Sequence, residues 1–528
     1  MIRSQGHSGV RQAEIIMALA LATDLGTGRP LDWALCSAAL SLRLGEALGL
    51  AETELRTVYY VALLRYIGCT ADVETRIQLF GDDPGIGGSK YAFVDPNQPQ
   101  QMLGWMFHYV GGGQNPIERM SAFAKLPAAM PQHLQAHCEV AQLFTERLGF
   151  DPSIRESIWQ TYERWDGKGM PRHIQGEALP LATRIAQLAQ DVESYRRAGR
   201  IEEVIAVVHQ RAGSAYDPKI AEVFCRNAER LMTELDVAGS WQNILACEPG
   251  QHRYLSNEEF DGAAQVIADF VDLLSPYFTC HSRDVASLAS AAAASYGLLP
   301  LEAKAVERMG WLHDLGKLSV PLGIWDKPRP LTSSEWERVR LHPYYTERIL
   351  VSCAGVAELG ADAALHHEWL DGSGYPRGVA ANALSPRSRL LAAANFYHAR
   401  REPRPFRESL TPEIAADELR KEVRAGHLDG DAAKAVLSAA GHHVTPVRRA
   451  GIAGLSEREI EVLGLLARGR SNRQMARQLG VSENTIGTHV AHIYDKLNVS
   501  TRAAATVFAM QHHLLKDTGN PQENHVNT

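Results

Sequence analysis

The 528-residue chain lacks any apolar run approaching the roughly 20 residues needed to cross a bilayer. Near the N-terminus Ile15–Ala22 is apolar but short, and Thr23, Asp24, Gly26 and Gly28 follow at once, which is not the pattern of a secretion signal. There are only seven cysteines, an odd number with no Cys-x-x-Cys pair, which argues against a disulfide framework and against a thiolate zinc site. They read as free thiols in a reducing cytoplasm, and no membrane association is expected. Positive charge is in deficit: 54 Lys and Arg against 61 Asp and Glu leave −7, so most of the surface would repel a polyanion. Runs of β-branched residues are scarce as well, which argues against a sheet-based fold.

What the chain does have is helical periodicity, and a repeat. Apolar residues recur at helical spacing between short Gly/Pro turns, so the expected fold class is all-α. Trp33–Val73 lies over His281–Val320 at a shift of 248 residues with almost no gaps, VALLRYIG matching MGWLHDLG. A second match runs at a shift of 205, His137 over His342 and ERWDGKGMP over EWLDGSGYP. The difference between the shifts implies an insertion of 43 residues (248 − 205) in the first copy, placed in the Gly- and Pro-rich Gly81–Pro116 as a long loop. The organisation that follows is a helical domain at 1–240, a linker at 241–255, a second helical domain at 256–443, a linker at 444–453, a third and different helical domain at 454–515 and a disordered tail at 516–528.

In the second copy His281, His313-Asp314, His342 and His366-His367 recur at expected helix ends. Imidazoles with a carboxylate and no thiolate suit iron, manganese or zinc. An adjacent His-Asp pair lets the aspartate bridge two ions while the histidine binds one of them, and such a pair of ions can activate water against a phosphoryl group. Lys317, one turn on, is placed to meet phosphate. A lone histidine on a helix is ordinarily a core or surface residue; the argument rests on six metal-type positions filled together. The glycines of Asp371–Pro376 serve equally well as turn formers.

These residues resemble the HD-GYP family of cyclic di-GMP phosphodiesterases. HSRDV, HDLGKLSVP, LTSSEWERVRLHP and HHEWLDGSGYPRG stand in the family's order, and Arg404–Arg407, RPFR, is similar to its RPYR element. The resemblance covers roughly Ser256–Gly441. It implies metal ligation by His281, His313, Asp314, His342, His366 and His367, a phosphate contact from Lys317, and catalytic roles for Asp314 and Lys317. Gly374, Tyr375, Pro376, Arg404 and Arg407 fall at its substrate-side positions. Two divalent ions, iron or manganese, are the implied cofactor, and cyclic di-GMP the implied ligand. The family's last metal aspartate falls on Asn395, whose amide oxygen can coordinate but brings no charge. No acidic residue stands in Ser275–Thr279 for the ligand that three-metal members use. Both a working hydrolase and an inactive nucleotide- or metal-binding sensor fit this pattern.

In the first copy the matching positions carry Trp33, Arg65-Tyr66, Cys69, Thr161-Tyr162 and Gln190; only His137 keeps a ligand type. That copy is expected to pack, dimerise or sense, and not to chelate a metal pair.

From Val447 to Leu515 nine basic residues face five acidic ones, about +4. Ser456 with Glu459 forms an expected capping box, Ser471 caps Asn472–Leu479, Gly480 stops it, and Ser482 caps a longer helix to Leu497. A fourth helix is expected over Thr501–Leu515. This segment resembles the LuxR-type helix-turn-helix. The resemblance implies DNA reading by Glu483, Asn484, Thr485, Thr488 and His489, with phosphate contacts from Arg473, Lys496 and Arg502 and pairing of the reader as a homodimer. Gly487 stands where that family usually has lysine. The expected function is a transcription regulator whose HD-GYP module binds or cleaves a cyclic dinucleotide.

Overall fold

The structure, a computed structural model, describes residues 9–82, 94, 98–112, 115–443, 455, 457–497, 499 and 501–511. The expected linker at 444–453, the tail at 516–528, Ser456 and the last residues of the final helix lie outside the described residues. Helices dominate, as the periodicity requires. Among the described residues the one sheet is a two-residue antiparallel pair, β1 (Val10–Arg11) with β2 (Tyr254–Leu255). No described helix is long and apolar enough to cross a membrane, and all seven cysteines are free. The chain forms two compact units, Met1–His443 and Val444–Thr528.

Both repeat copies fall in the first unit and share one apolar core. Ile15, Leu19, Tyr59 and Phe144 belong to the same buried cluster as Phe270, Trp311, Leu312 and Ile349. The Gln12–Gly26 helix is buried along all but its last two residues. A helix apolar all round belongs inside a protein, and this one carries the run Ile15–Ala22. It bears on the second copy: Ala354 N donates to Glu14 Oε1 at 2.7 Å, and a Cβ on Gly26 would stand 2.9 Å from Leu318.

The segment 241–255, read as a linker for its polarity, carries the helix Trp241–Ala246 and the strand β2. Its polar residues are spent on a buried network. Glu248, 4% exposed, accepts from Arg11 Nε at 2.7 Å and from the Tyr60 hydroxyl at 2.5 Å, while Arg56 donates to Pro249 O and Gln251 O. The insertion also differs from a plain loop. Pro99 opens a helix, Pro99–Tyr109, consistent with proline's fit to a first helical turn. Leu79, Phe80, Val110 and Ala122 form a small core beneath it.

In the second unit the helices are Glu457–Ala467, Asn472–Leu479, Glu483–Leu497 and Arg502–Gln511. Gln474 N donates to Ser471 Oγ and Ser471 N to Gln474 Oε1, closing the cap of the second helix. Gly480 ends it at φ +67°, where a side chain would be strained, and Ser482 Oγ accepts from Thr485 N. Val462, Leu463, Met475, Ile486, Ile493 and Ala505 make its core.

Candidate metal centre

Each candidate histidine and Asp314 sits where a helix begins or ends. His281 opens His281–Tyr296, His313-Asp314 closes Pro300–Leu312, His342 opens His342–Leu350, and His366-His367 lie in the turn after Ala357–Ala363. Gly316 allows two of these ends to touch, since a Cβ there would fall 1.9 Å from His342 O. Thr346 clamps the junction, its hydroxyl donating to His313 O at 3.0 Å and accepting from Gly316 N at 2.9 Å.

The side chains meet around Asp314. Its Oδ2 is 3.0 Å from His313 Nε2 and 3.3 Å from His281 Nε2; its Oδ1 is 3.4 Å from His342 Nε2 and 3.5 Å from His366 Nε2. Lys317 Nζ lies 2.5 Å from Oδ2 and 4.2 Å from the Phe278 ring centroid. His281, His313, Asp314, His342 and His366 are all 3% exposed or less.

The tautomers follow from the outer nitrogens. Nδ1–H of His313 donates to Gly310 O at 2.8 Å, that of His342 to Val339 O at 2.7 Å and that of His366 to Ala363 O at 2.7 Å. A carbonyl only accepts, so the proton is on Nδ1 and each Nε2 turns a lone pair inward. Burial pushes His313, His342 and His367 below the usual imidazole range and His366 down to about 4, favouring the neutral ligand form. Burial alone would raise Asp314, but its polar and charged neighbours, the Lys317 ammonium among them, outweigh it and hold the carboxyl well below its usual range. His313 Nε2 and Asp314 Oδ1 are buried without a hydrogen-bond partner, while Lys317 stands at Oδ2. Inward lone pairs and an unpartnered carboxylate oxygen are what a metal cation would satisfy. His281/His313/Asp314 and His342/His366/His367 each group closely enough to hold a metal ion.

Other expected site residues are placed as follows. Asn395 is buried on the Pro386–Arg401 helix. Tyr375 stacks on His367, ring centroids 4.7 Å apart. Gly374 is required by close approach, since a Cβ there would lie 2.4 Å from Trp369 N. Arg404 donates to Tyr277 O and to Glu402 Oε2, and Arg407 to Arg400 O and Ala399 O, so both guanidiniums brace the end of the Asn395 helix. Sequence reasoning missed Glu402. Its two oxygens are 3.1 and 2.9 Å from His281 Nδ1, and it also meets His398 Nε2 at 3.1 Å. A carboxylate at i+4 from His398 and i+7 from Asn395 was the available signal.

The first copy keeps the turns and loses the chemistry. Gly68 meets His137 O as Gly316 meets His342 O, and Gly169 meets Arg164 N as Gly374 meets Trp369 N. Glu163 accepts from Arg172 N and Ile174 N at 2.6 and 3.1 Å; Glu368 accepts from Arg377 N and Val379 N at 2.7 and 3.1 Å. Where the second copy gathers imidazoles, the first packs tilted and edge-on aromatic rings. The Arg29 guanidinium lies 4.2 Å from the Trp33 ring and 4.1 Å from that of Tyr66, and the Tyr162 hydroxyl meets His137 Nδ1 at 3.3 Å. Tyr66 in place of Asp314 leaves nothing to bridge two ions. The glycines of Asp371–Pro376 and the preceding Glu368 therefore belong to the fold, since a copy without ligands retains them.

In the C-terminal bundle Arg473, Glu483, Asn484, Thr485 and Thr488 are exposed and His489 half-buried. Lys496 is tied to buried Glu459 at 2.7 Å, and Arg502 donates to Leu466 O and Arg470 O.

Residues 95–220 and 265–432 match the family described as HD domain, and residues 453–509 match bacterial regulatory proteins of the luxR family. A 3'3'-cGAMP-specific phosphodiesterase of Vibrio cholerae is 29% identical over 405 residues, 75% of this chain and 88% of that one. A cyclic di-GMP phosphodiesterase of Pseudomonas aeruginosa is 35% identical over 167 residues, 31% of this chain and 40% of its own. The crystal structure of a cyclic GMP-AMP specific phosphodiesterase of V. cholerae superposes with a TM-score of 0.59 at 24% identity, over 83% of this chain and 99% of that one. The protein belongs to the HD domain family, in tandem with a C-terminal segment of the luxR family of regulators.

Proposed function

We propose that the second copy is a metal-dependent phosphodiesterase for a cyclic dinucleotide, and that the C-terminal bundle binds DNA, as a homodimer. The observation that carries the first part is the Asp314 carboxylate, one oxygen turned to His281 and His313 and the other to His342 and His366. The donor set fits a pair of divalent ions, with iron or manganese favoured by imidazole and carboxylate without thiolate. Such ions supply charge against a phosphoryl oxygen and a water ionised near neutral pH. His281, His313 and Asp314 Oδ2 would hold one ion; His342, His366, His367 and Asp314 Oδ1 would hold the other. Burial of the ligands keeps water from screening the charges they gather. Lys317 brings its donors to the same carboxylate, within reach of a phosphate oxygen held there, and Tyr375 keeps His367 in place by stacking.

The names of the relatives point to the substrate class. Cyclic di-GMP and 3'3'-cGAMP are both cyclic dinucleotides, and both are the compounds to test. Full-length protein loaded anaerobically with Fe²⁺ or Mn²⁺ is expected to linearise at least one of them, and His313→Ala to lose that turnover. No turnover of either compound by fully metallated protein would refute the enzyme reading. Asn395 favours one alternative, a sensor that binds without cleaving; activity appearing only in Asn395→Asp would establish it. For the DNA-binding part, affinity for a selected operator should change when the dinucleotide is added. Equal affinity with and without it would separate the two activities.

A further inference from the structure

We propose that Glu402 supplies to the metal centre, through His281, the negative charge that Asn395 does not bring. The inference rests on reading the second copy as a metal centre but not on its turnover. His313, His342 and His366 each give their outer N–H to a neutral backbone carbonyl. His281 instead faces a carboxylate, both oxygens of Glu402 lying within 3.1 Å of Nδ1 while Nε2 stands 3.3 Å from Asp314 Oδ2. The ring thus spans two carboxylates. With its Nδ1–H given to Glu402, Nε2 is the lone pair left for an ion, and a carboxylate partner makes that imidazole a stronger donor than a carbonyl does.

Glu402 is itself held in place. Arg404 Nη2 donates to its Oε2 at 2.6 Å, His398 Nε2 lies 3.1 Å from Oε1, and the side chain is 12% exposed. Arg404 is fixed in turn by Tyr277 O and by the Phe278 ring. Asn395, His398 and Glu402 fall at i, i+3 and i+7, one face along the Pro386–Arg401 helix and its exit. The negative group thus stands two turns along that face from Asn395, on the far side of one of the candidate ligands. Glu402 is a positioning residue: it acts on the ion only through the His281 ring.

The test is metal binding without substrate, so its outcome is independent of whether the protein turns over a dinucleotide. Full-length protein is stripped with chelator and titrated with Mn²⁺, the bound metal being measured by elemental analysis after dialysis. Glu402→Gln keeps an acceptor for Nδ1–H and removes the charge. It is expected to weaken one of two ions about 10- to 100-fold and to leave the other within threefold. Adding Asn395→Asp to Glu402→Gln should return the weakened ion to within threefold of the original affinity; a merely structural role for Glu402 gives no such rescue. Wild-type affinity in Glu402→Gln, or failure of the second substitution to restore it, overturns the proposal. So does a third ion in the unmodified protein that Glu402→Gln and His398→Ala both remove, since Glu402 would then be a direct ligand. Should Glu402→Gln not fold, Glu402→Asp must retain both ions within about tenfold, and loss of either beyond that overturns the proposal.

Discussion

Two glutamates in equivalent loops allow one perturbation to be made twice in the same molecule. Glu368 is 1% exposed and accepts the backbone N–H groups of Arg377 and Val379; Glu163 is fully buried and accepts those of Arg172 and Ile174. Glutamine at either position keeps one acceptor and turns an NH₂ group toward the other N–H. One charge-assisted hydrogen bond, worth about 1.5–3 kcal/mol, is lost, and a partly buried N–H is left without a partner. Glu163→Gln and Glu368→Gln should each destabilise the protein by roughly 3 kcal/mol. Because the two copies share one core, both variants should shift the same urea-unfolding transition, followed by tryptophan fluorescence. Their effects on metal should differ: Glu368→Gln loosens the loop that carries Tyr375 against His367 and lowers Mn²⁺ retention, whereas Glu163→Gln leaves retention unchanged. A loss below about 0.5 kcal/mol in either variant would refute the view that these carboxylates hold the turns.

Gly316→Ala places a Cβ 1.9 Å from His342 O, a clash with backbone that no rotamer relieves; loss of the metal site, measured as bound Mn²⁺, and of several kcal/mol of stability are expected. Nothing stands within 4 Å of a Cβ at Gly487, so Gly487→Ala should stabilise the C-terminal bundle by about 1 kcal/mol in thermal unfolding. Gly487→Lys should in addition steepen the salt dependence of DNA affinity by about one unit of slope if that helix lies along the phosphates. Burial raises the Asp24 carboxyl to about 8 and that of Asp272 to about 6. A carboxyl that holds its proton more tightly when folded lowers stability as pH rises from about 4 to its folded value. Between pH 6 and 8 the unmodified protein should therefore lose stability to urea through Asp24. Asp24→Asn, which still accepts from Ala34 N, should lose less over that range.

The side chains that gather around Asp314 were legible because their signals are local: paired residues such as His313-Asp314 and His366-His367 advertise themselves and recur at helix ends. Ser471 and Gly480 were legible for the same reason, since caps and stops act within one turn. What escaped depends on partners far along the chain. Glu402 is 121 residues from His281, and its value appears only when the two meet. Segment 241–255 looked like a linker because its polarity was visible and the buried partners of Glu248, Arg11 and Tyr60, were not. The intramolecular partners of the basic side chains were equally hidden: Arg404, Arg407, Lys496 and Arg502, expected to meet substrate or phosphate, also bind acceptors within the protein, and charge in a sequence does not reveal where a guanidinium or ammonium finds them.

The seating of the Gln12–Gly26 helix bears on why a copy stripped of its ligands persists. Excision of the first 240 residues would leave Leu318, Ile349 and Leu350 without the neighbours that shield them from water, and a flank of that kind promotes aggregation. The ligand-free half is in this sense a permanent internal chaperone for its sibling, and truncation would forfeit solubility.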